Sequence, residues 1–373
     1  MINQGTIGTW RSRHFSTALT FPSASSVSIF RHDHSDGKSR YDNFSFETEK
    51  RFYSPISQIM RRREFLLSAA AALSPLTSTA QNRVATIGVL VVGSPGPEAF
   101  LTAFRKGLHE EGYNEGQNIQ FDIQSAEGNA KRLPELAAEL VRRKVDVIVG
   151  FQTPAVTAAK QATNDIPIVM DAGDPVGMGL VASFARPGGN ITGMSAATAE
   201  LAPKNLQILH QIVPSFKRLA LFLNATDPFR KPFLEHSQLG ANSLGIELKP
   251  IFVNDVDELA SAFDTAVNEK PDAAMVQPSL PIARAATLAL DHHLPAASLT
   301  EAFPQAGGMM SYSADYAELW RQMAFYVAKI LNGAKLSDLP VAQPTKLNLV
   351  INMKTANALG LTIPPTVLLL KAA

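Results

Sequence analysis

From residue 85 onward, short apolar runs alternate with amphipathic segments of helical spacing. The run "ATIGVLVVG" (85–93) is continuously apolar and ends in glycine, which is typical of a strand buried on both faces. The segment that follows places Phe100, Phe104 and Leu108 on one helical face. Strands that alternate with helices of about 10–15 residues indicate a parallel, doubly wound sheet.

The alternation is interrupted once, at "RPGGNITG" (186–193), where proline, paired glycines and asparagine mark a turn or crossover. A second series of predicted strands and helices then begins, and its longest helix ends at Gly333. Two series of similar length predict two similar lobes. In open parallel sheets, ligands bind beyond the carboxyl ends of the strands. The sequence therefore predicts an α/β fold of two doubly wound parallel-sheet lobes with a ligand cleft between them.

The segment "MRRREFLLSAAAALSPLTSTAQ" (60–81) has the features of an export signal. Arg62 and Arg63 belong to a basic head, and the apolar run behind it is too short to span a bilayer as a helix. Small residues then precede a cut before Gln81. The pair Arg62-Arg63 followed by "EFL" resembles the twin-arginine export motif. A buried helix behind a basic loop is the alternative, but the order of the three features favours a signal peptide over residues 60–80.

Residues 1–59 differ in composition and show no sustained period of 2 or 3.6. His32 and His34 lack the further ligands that a metal site needs. We expect Met60 to be the true start of the protein, and residues 1–59 to be a non-native or disordered extension.

Composition excludes several classes of protein for the 293 residues after residue 80. Basic residues form no cluster of the kind that nucleic acid requires. The chain has no cysteine, which excludes a disulfide framework and is compatible with the periplasm. No later apolar run is long enough for a membrane span. We expect a soluble, exported, monomeric protein that does not bind nucleic acid.

Five candidate site residues lie at predicted strand ends of the first lobe: Ser94, Phe151, Gln152, Thr153 and Asp174. Ser94 and Thr153 each place a hydroxyl and backbone N–H groups at a helix N-terminus, which favours a bound carboxylate, although either can be an ordinary N-cap. Phe151 can stack on a solute or pack in the core. Asp174 can pair with a solute ammonium or cap its own turn.

In the second lobe, Asn224 and Ser279 occupy the corresponding strand ends. Tyr312 lies on a predicted strand near a crossover, where it can contact the solute or the hinge. These three residues complete the predicted ligand-binding set.

The patterns of common enzymes are missing from the sequence. No Gly-x-Gly-x-x-Gly follows the first strand, and no Gly-x-Ser-x-Gly is present. His292 and His293 are neighbours, and adjacent helix residues do not share a face. We therefore predict that the protein is not an enzyme, needs no cofactor and has no metal site.

Several long stretches, among them "DPVGMGLVASFARPGGNITGMS" and "YVAKILNGAKLSDLPVAQPTKLNLVINMKTANALGLTIP", resemble the substrate-binding proteins of ABC importers. The resemblance runs from Val84 to Pro364 and is to the subfamily that includes the tryptophan-binding protein. It implies a periplasmic-binding-protein type I fold, with lobe 1 at residues 83–195 plus about 311–336 and lobe 2 at residues 196–310 plus about 337–373. "NATDPF" (224–229) and "VQPSLP" (276–281) depart from the family pattern.

The resemblance implies a solute-binding component of an ABC importer. It would bind a small organic solute, an amino acid or similar carboxylate, and deliver it to an inner-membrane permease driven by a separate ATPase. The expected location is the periplasm, reached by the twin-arginine or general export machinery. A ligand-binding sensor that docks on a membrane receptor, and an enzyme of doubly wound fold, are the alternatives.

Overall fold

Two β-sheets organise the chain in a computed structural model that describes residues 26–32, 39–44, 83–93 and 98–370. The strands are β1 (Ser26–His32), β2 (Ser39–Phe44), β3 (Ala85–Val91), β4 (Ile119–Ser125), β5 (Val147–Phe151), β6 (Ile168–Ala172), β7 (Ile191–Ser195), β8 (Arg218–Asn224), β9 (Glu247–Val253), β10 (Ala273–Val276), β11 (Ala296–Ser298), β12 (Met310–Ala314) and β13 (Leu347–Asn352).

Helices connect most of these strands. They are α1 (Glu98–Glu110), α2 (Leu133–Arg142), α3 (Thr153–Ala162), α4 (Thr198–Ile212), α5 (Arg230–Ser243), α6 (Leu259–Asn268), α7 (Ile282–Asp291), α8 (Ala302–Gln305), α9 (Tyr316–Leu331), α10 (Met353–Ala358) and α11 (Pro365–Leu368). Short 3₁₀ turns lie at Ala130–Arg132, Val256–Glu258 and Leu336–Asp338.

The first lobe is built on a five-stranded parallel sheet in the order β4-β3-β5-β6-β7. Its central strands are mostly apolar because helices cover both faces, and Asp171 of β6 is the charged exception. On one face, α9 packs against α1 and the sheet. Phe100 and Phe104 of α1 are fully buried there, so the helical stripe that the sequence predicted is the inner face of α1.

The second lobe is built on an eight-stranded sheet in the order β2-β1-β13-β12-β11-β10-β8-β9. Strands β8 to β12 run parallel, whereas β13 is antiparallel to β12. Helices α4 and α5 pack together on this lobe. The prediction of two α/β lobes with parallel sheets is confirmed, with β13 as an antiparallel addition.

The chain crosses between the sheets after β7, after β12 and before β13. Because β12 pairs with β11 and β13 in the second sheet, the return to the first lobe follows Ala314 rather than residue 311. The N–H of Val341 donates to Phe184 O at 2.8 Å, and that of Ala342 donates to Gly193 O at 3.0 Å. Residues up to 342 therefore stay with the first lobe, past the expected boundary near 337. Hydrogen bonds of this kind cannot be predicted from the pattern of apolar residues in the sequence.

Strands β1 and β2 lie in the stretch that was expected to be a non-native or disordered extension. The backbone of β1 pairs in parallel with β13, and β2 is antiparallel to β1. A seven-residue strand is too short to show a sustained period of 2, so the sequence pattern did not reveal it. The origin of this stretch stays a prediction, and the leader at 60–80 and Ser94 lie outside the described residues.

Of the helices in the described ranges, none combines the length and the apolar character that a bilayer crossing requires.

Candidate ligand-binding site between the two lobes

A cleft of about 440 Å³, measured with its open mouth, lies between the lobes at the carboxyl ends of the strands. The first lobe lines it with residues that lie at or just beyond the ends of β5 and β6 or that begin α9: Phe151, Gln152, Thr153, Asp171, Gly173 and Tyr316. The second lobe lines it with residues that follow β8, β10 and β11: Asp227, Phe229, Gln277, Pro278, Ser279 and Thr300. Ala196 and Thr198, at the first crossover, close one end.

Four of the predicted ligand-binding residues line this cleft: Phe151, Gln152, Thr153 and Ser279. Gln152 has φ 71° and ψ 154°, a backbone conformation that side chains other than glycine rarely adopt. Its Nε2 donates to Pro278 O in the other lobe at 3.2 Å. Strain of this kind collects at binding sites, where surrounding structure sustains it.

Thr153 begins α3 and is 3% exposed. Its hydroxyl oxygen accepts the N–H of Gly173 at 3.1 Å, which joins the ends of β5 and β6. Since the oxygen is already an acceptor, its proton is free to be donated to a ligand. The first turn of α3 adds the partial positive charge of a helix N-terminus. This corner of the cleft is suited to a carboxylate.

The other predicted residues are placed elsewhere. The Oδ1 atom of Asp174 accepts the N–H of Gly177 at 2.9 Å, so Asp174 caps its own turn outside the cleft lining. Asn224 donates to Ser279 O at 3.3 Å and lies in a smaller hollow beside the cleft. Tyr312 is buried in β12, where its backbone pairs with the side chain of Asn205.

Asp171 is a cleft residue that the sequence analysis missed. It lies on β6 opposite Phe151 and is 2% exposed. Burial raises the pKa of its carboxyl group to about 7. The indole N–H of Trp320 acts as a hydrogen-bond donor to this carboxyl group and offsets only part of the rise. The sequence signal was a charge inside an otherwise apolar strand, "IPIVMDAG".

Asp227 is the second missed acid and is 1% exposed. It accepts hydrogen bonds from Gln277 Nε2 at 2.7 Å, Ser279 Oγ at 2.5 Å and the N–H of Phe229 at 2.8 Å. Burial raises its pKa to about 6, and these donors oppose the rise. Asp227 belongs to "NATDPF", one of the two segments that depart from the family pattern, and that departure was the available signal.

Aromatic rings form the apolar walls of the cleft. The ring centroid of Phe151 lies 5.3 Å from that of Trp320 and 5.4 Å from that of Phe100. Tyr316 continues this cluster at 5.5 Å from Trp320, and Phe229 faces it from the second lobe. Such walls bury a flat apolar group and favour offset or edge-to-face contacts with an aromatic one.

A sequence model of the family described as ABC transporter substrate binding protein matches residues 86–373. The chain belongs to this family. The predicted family is thereby confirmed, and it accounts for two lobes around a cleft with recognition groups at the strand ends.

This substrate-binding protein is 27% identical over 277 residues to the tyrosine-binding protein of Clostridioides difficile, an alignment that covers 73% of this chain and 79% of that relative. The crystal structure of a conserved domain protein from Vibrio cholerae is 30% identical, with a TM-score of 0.72 over 78% of this chain and 99% of that one. The structure of an ABC domain in complex with L-Trp from Streptococcus pneumonia is 29% identical, with a TM-score of 0.69 over 76% and 97%. These structures confirm the predicted type I fold.

The lobes of this substrate-binding protein touch across the cleft. A β-carbon on Gly173 would lie 2.6 Å from the Phe229 ring, so the ring of one lobe packs directly on the backbone of the other. At the mouth, Lys131 Nζ lies 3.4 Å from Asp255 Oδ2. With the bond from Gln152 to Pro278 O, these contacts define a closed arrangement.

The cleft lining carries only acidic charged side chains. Its two ionisable carboxyl groups come from opposite lobes, and none of its lining residues is lysine, arginine or histidine. Within the described ranges, no three His, Cys, Asp or Glu side chains are grouped so that they could hold a metal ion. A site of this composition favours an organic cation or a zwitterion, because a buried carboxylate needs a positive or hydrogen-bonding partner.

Proposed function

We propose that this protein is the exported solute-binding component of an ABC importer and that its solute is an aromatic α-amino acid. The observation that carries the proposal is Asp171, a buried carboxylate beside the N-terminus of α3, where the indole N–H of Trp320 offsets only part of the cost of its burial. An anion-binding and a cation-binding group thus occupy neighbouring strand ends of one lobe.

The first step is recognition of the carboxylate. Thr153 donates its hydroxyl proton, and backbone N–H groups of the first turn of α3 add further donors; Pro154 supplies none because it has no N–H. The helix dipole favours the negative charge at this position. The solute carboxylate needs no lysine or arginine here.

The second step is recognition of the ammonium. Strands β5 and β6 are neighbours, and paired strands lie about 4.8 Å apart. A head group with both charges on one carbon therefore fits between Thr153 and Asp171. An ammonium relieves the cost of burying Asp171, which is several kcal/mol for an unpaired charge.

The aromatic preference follows from the walls. Phe151 and Tyr316 on one lobe and Phe229 on the other enclose the space beyond the head group. The named ligands of two relatives, tyrosine and L-Trp, are both aromatic amino acids. Closure over such a ring buries apolar area from both lobes at once and biases the hinge toward the closed form.

Binding is tested by calorimetry with L-tyrosine and L-tryptophan on wild type, Thr153→Ala and Thr153→Ser. We expect Thr153→Ala to weaken binding about ten- to a hundred-fold, because a hydrogen bond to a charged group contributes about 1.5–3 kcal/mol. Thr153→Ser keeps the hydroxyl and should bind nearly as wild type. Absence of binding by any α-amino acid, or wild-type affinity in Thr153→Ala, would contradict this recognition scheme.

Delivery to a membrane permease requires export, which we assign to the segment 60–80. Replacing Arg62 and Arg63 together with lysine should retain the protein in the cytoplasm, because the twin-arginine receptor distinguishes arginine from lysine at equal charge. The measurement is the periplasmic fraction of wild type and variant expressed from Met60. Equal periplasmic recovery would point to the general secretory route.

A further inference from the structure

We infer that Asp227 selects among aromatic amino acids by accepting a hydrogen bond from the ligand side chain, so that a phenol O–H or an indole N–H is preferred over an unsubstituted phenyl ring. This inference rests on the proposed function and names the residue that sets its specificity.

The nearest cation to Asp227 is Arg230, outside the cleft lining, whose Nη1 donates to the backbone oxygen of Asp227 at 3.1 Å and whose charge opposes the rise in the pKa of the Asp227 carboxyl group. A zwitterionic head group carries one ammonium, and the proposed function assigns it to Asp171 of the first lobe, which lies on the strand next to the one that Thr153 follows. The lining holds no cationic side chain that could pair with the second acid. The hydrogen bonds to the Asp227 carboxyl group come from neutral donors, and a ligand O–H or N–H can add one more.

The hydrogen bonds around Asp227 fix it as an acceptor. Gln277 Oε1 accepts the N–H of Asn224 at 2.9 Å, which orients the Gln277 amide so that its Nε2 donates to Asp227 Oδ2. Ser279 Oγ donates to the same oxygen. Oδ1 accepts only the N–H of Phe229. A carboxylate has about four acceptor positions, so one on Oδ1 stays available.

The position of Asp227 matches the far end of the ligand. The head-group residues Thr153 and Asp171 belong to the first lobe, whereas Asp227 lines the cleft from the second. Phe229, two residues further along, forms the wall on the same side. The ligand ring, held between the aromatic walls, extends away from the head group. Its phenol O–H or indole N–H then donates a hydrogen bond to Asp227.

The test compares L-tyrosine with L-phenylalanine, which differ by one hydroxyl, on wild type, Asp227→Asn and Asp171→Asn by calorimetry at one pH. We expect wild type to bind tyrosine about ten- to a hundred-fold more tightly, as for a hydrogen bond to a charged acceptor. Asp227→Asn should bring this ratio close to one. Asp171→Asn should weaken both ligands by the same factor and keep the ratio.

Further ligands on wild type make the test independent of how the variants fold. O-Methyl-L-tyrosine lacks the donor and should bind like phenylalanine, whereas 4-amino-L-phenylalanine restores a donor and should bind like tyrosine. Equal affinity for tyrosine and phenylalanine, or an unchanged ratio in Asp227→Asn, would overturn the inference and leave the proposed function standing. Failure of every α-amino acid to bind would overturn both.

Discussion

At the scale of single residues, Asp171 combines a proposed role in binding with a cost to the stability of the folded protein. Its pKa is raised to about 7 in the folded protein, whereas an unfolded aspartate titrates near 3.8. The folded state therefore holds a proton that the unfolded state releases as the pH rises from about 4 to 7. The free energy of unfolding should fall by a few kcal/mol across this window.

Urea unfolding of the ligand-free protein between pH 4 and pH 8 measures this fall. Asp171→Asn should remove most of this decrease in the free energy of unfolding. A smaller decrease between about pH 4 and 6 should persist, because burial also raises the pKa of Asp227 to about 6. Amino-acid affinity should rise through pH 7 in wild type, since the ammonium pairs with the ionised form. A pH profile identical in wild type and Asp171→Asn would contradict this role.

At the scale of the elements, the alternation of strands and helices was sufficient to predict both lobes and the location of the cleft. It also predicted Phe151, Thr153 and Ser279 at strand ends, and all three line the cleft because each follows or ends a parallel strand. A rule based on strand ends nevertheless favoured Asp174 over Asp171. Asp171 is opposite Phe151, the last residue of β5, so its side chain reaches the cleft before its own strand ends. Such register between strands cannot be read from one strand alone.

The segments around Asp227 escaped prediction for a different reason. Asp227 and Gln277 come from loops about 50 residues apart in sequence and meet only when β8 and β10 pair. A turn aspartate in isolation is indistinguishable from an ordinary turn cap. The crossover positions at Ala314 and Ala342 are likewise set by pairing with distant strands or segments.

At the scale of the whole molecule, the proposed function depends on closure of one lobe on the other. The ion pair of Lys131 with Asp255 is exposed, and pairs of this kind contribute only about 0–1 kcal/mol. The packing of Phe229 on Gly173 is different, because the ring is 4% exposed and needs a residue without a β-carbon beneath it. Closure therefore depends more on this contact than on the ion pair at the mouth.

Gly173→Ala should hold the lobes apart. The added β-carbon would lie 2.6 Å from the Phe229 ring in this arrangement, and separation of the lobes would relieve the clash. Gly173 is not among the positive-φ glycines, so alanine strains the backbone little. We expect near wild-type thermal stability without ligand, and affinity for an aromatic amino acid reduced at least about ten-fold, the factor that 1.4 kcal/mol of destabilised closure produces.

Small-angle X-ray scattering with and without L-tyrosine measures the closure directly. Wild type should become more compact when the ligand is added, and Gly173→Ala should keep the larger radius of gyration at the same ligand concentration. Gly93→Ala is the matched control, because a β-carbon there meets no atom of the described residues within 4 Å. It should close and bind as wild type does. A compact, tightly binding Gly173→Ala would show that Phe229 can move aside, and closure would then have to be driven by the ligand and the remaining contacts between the lobes.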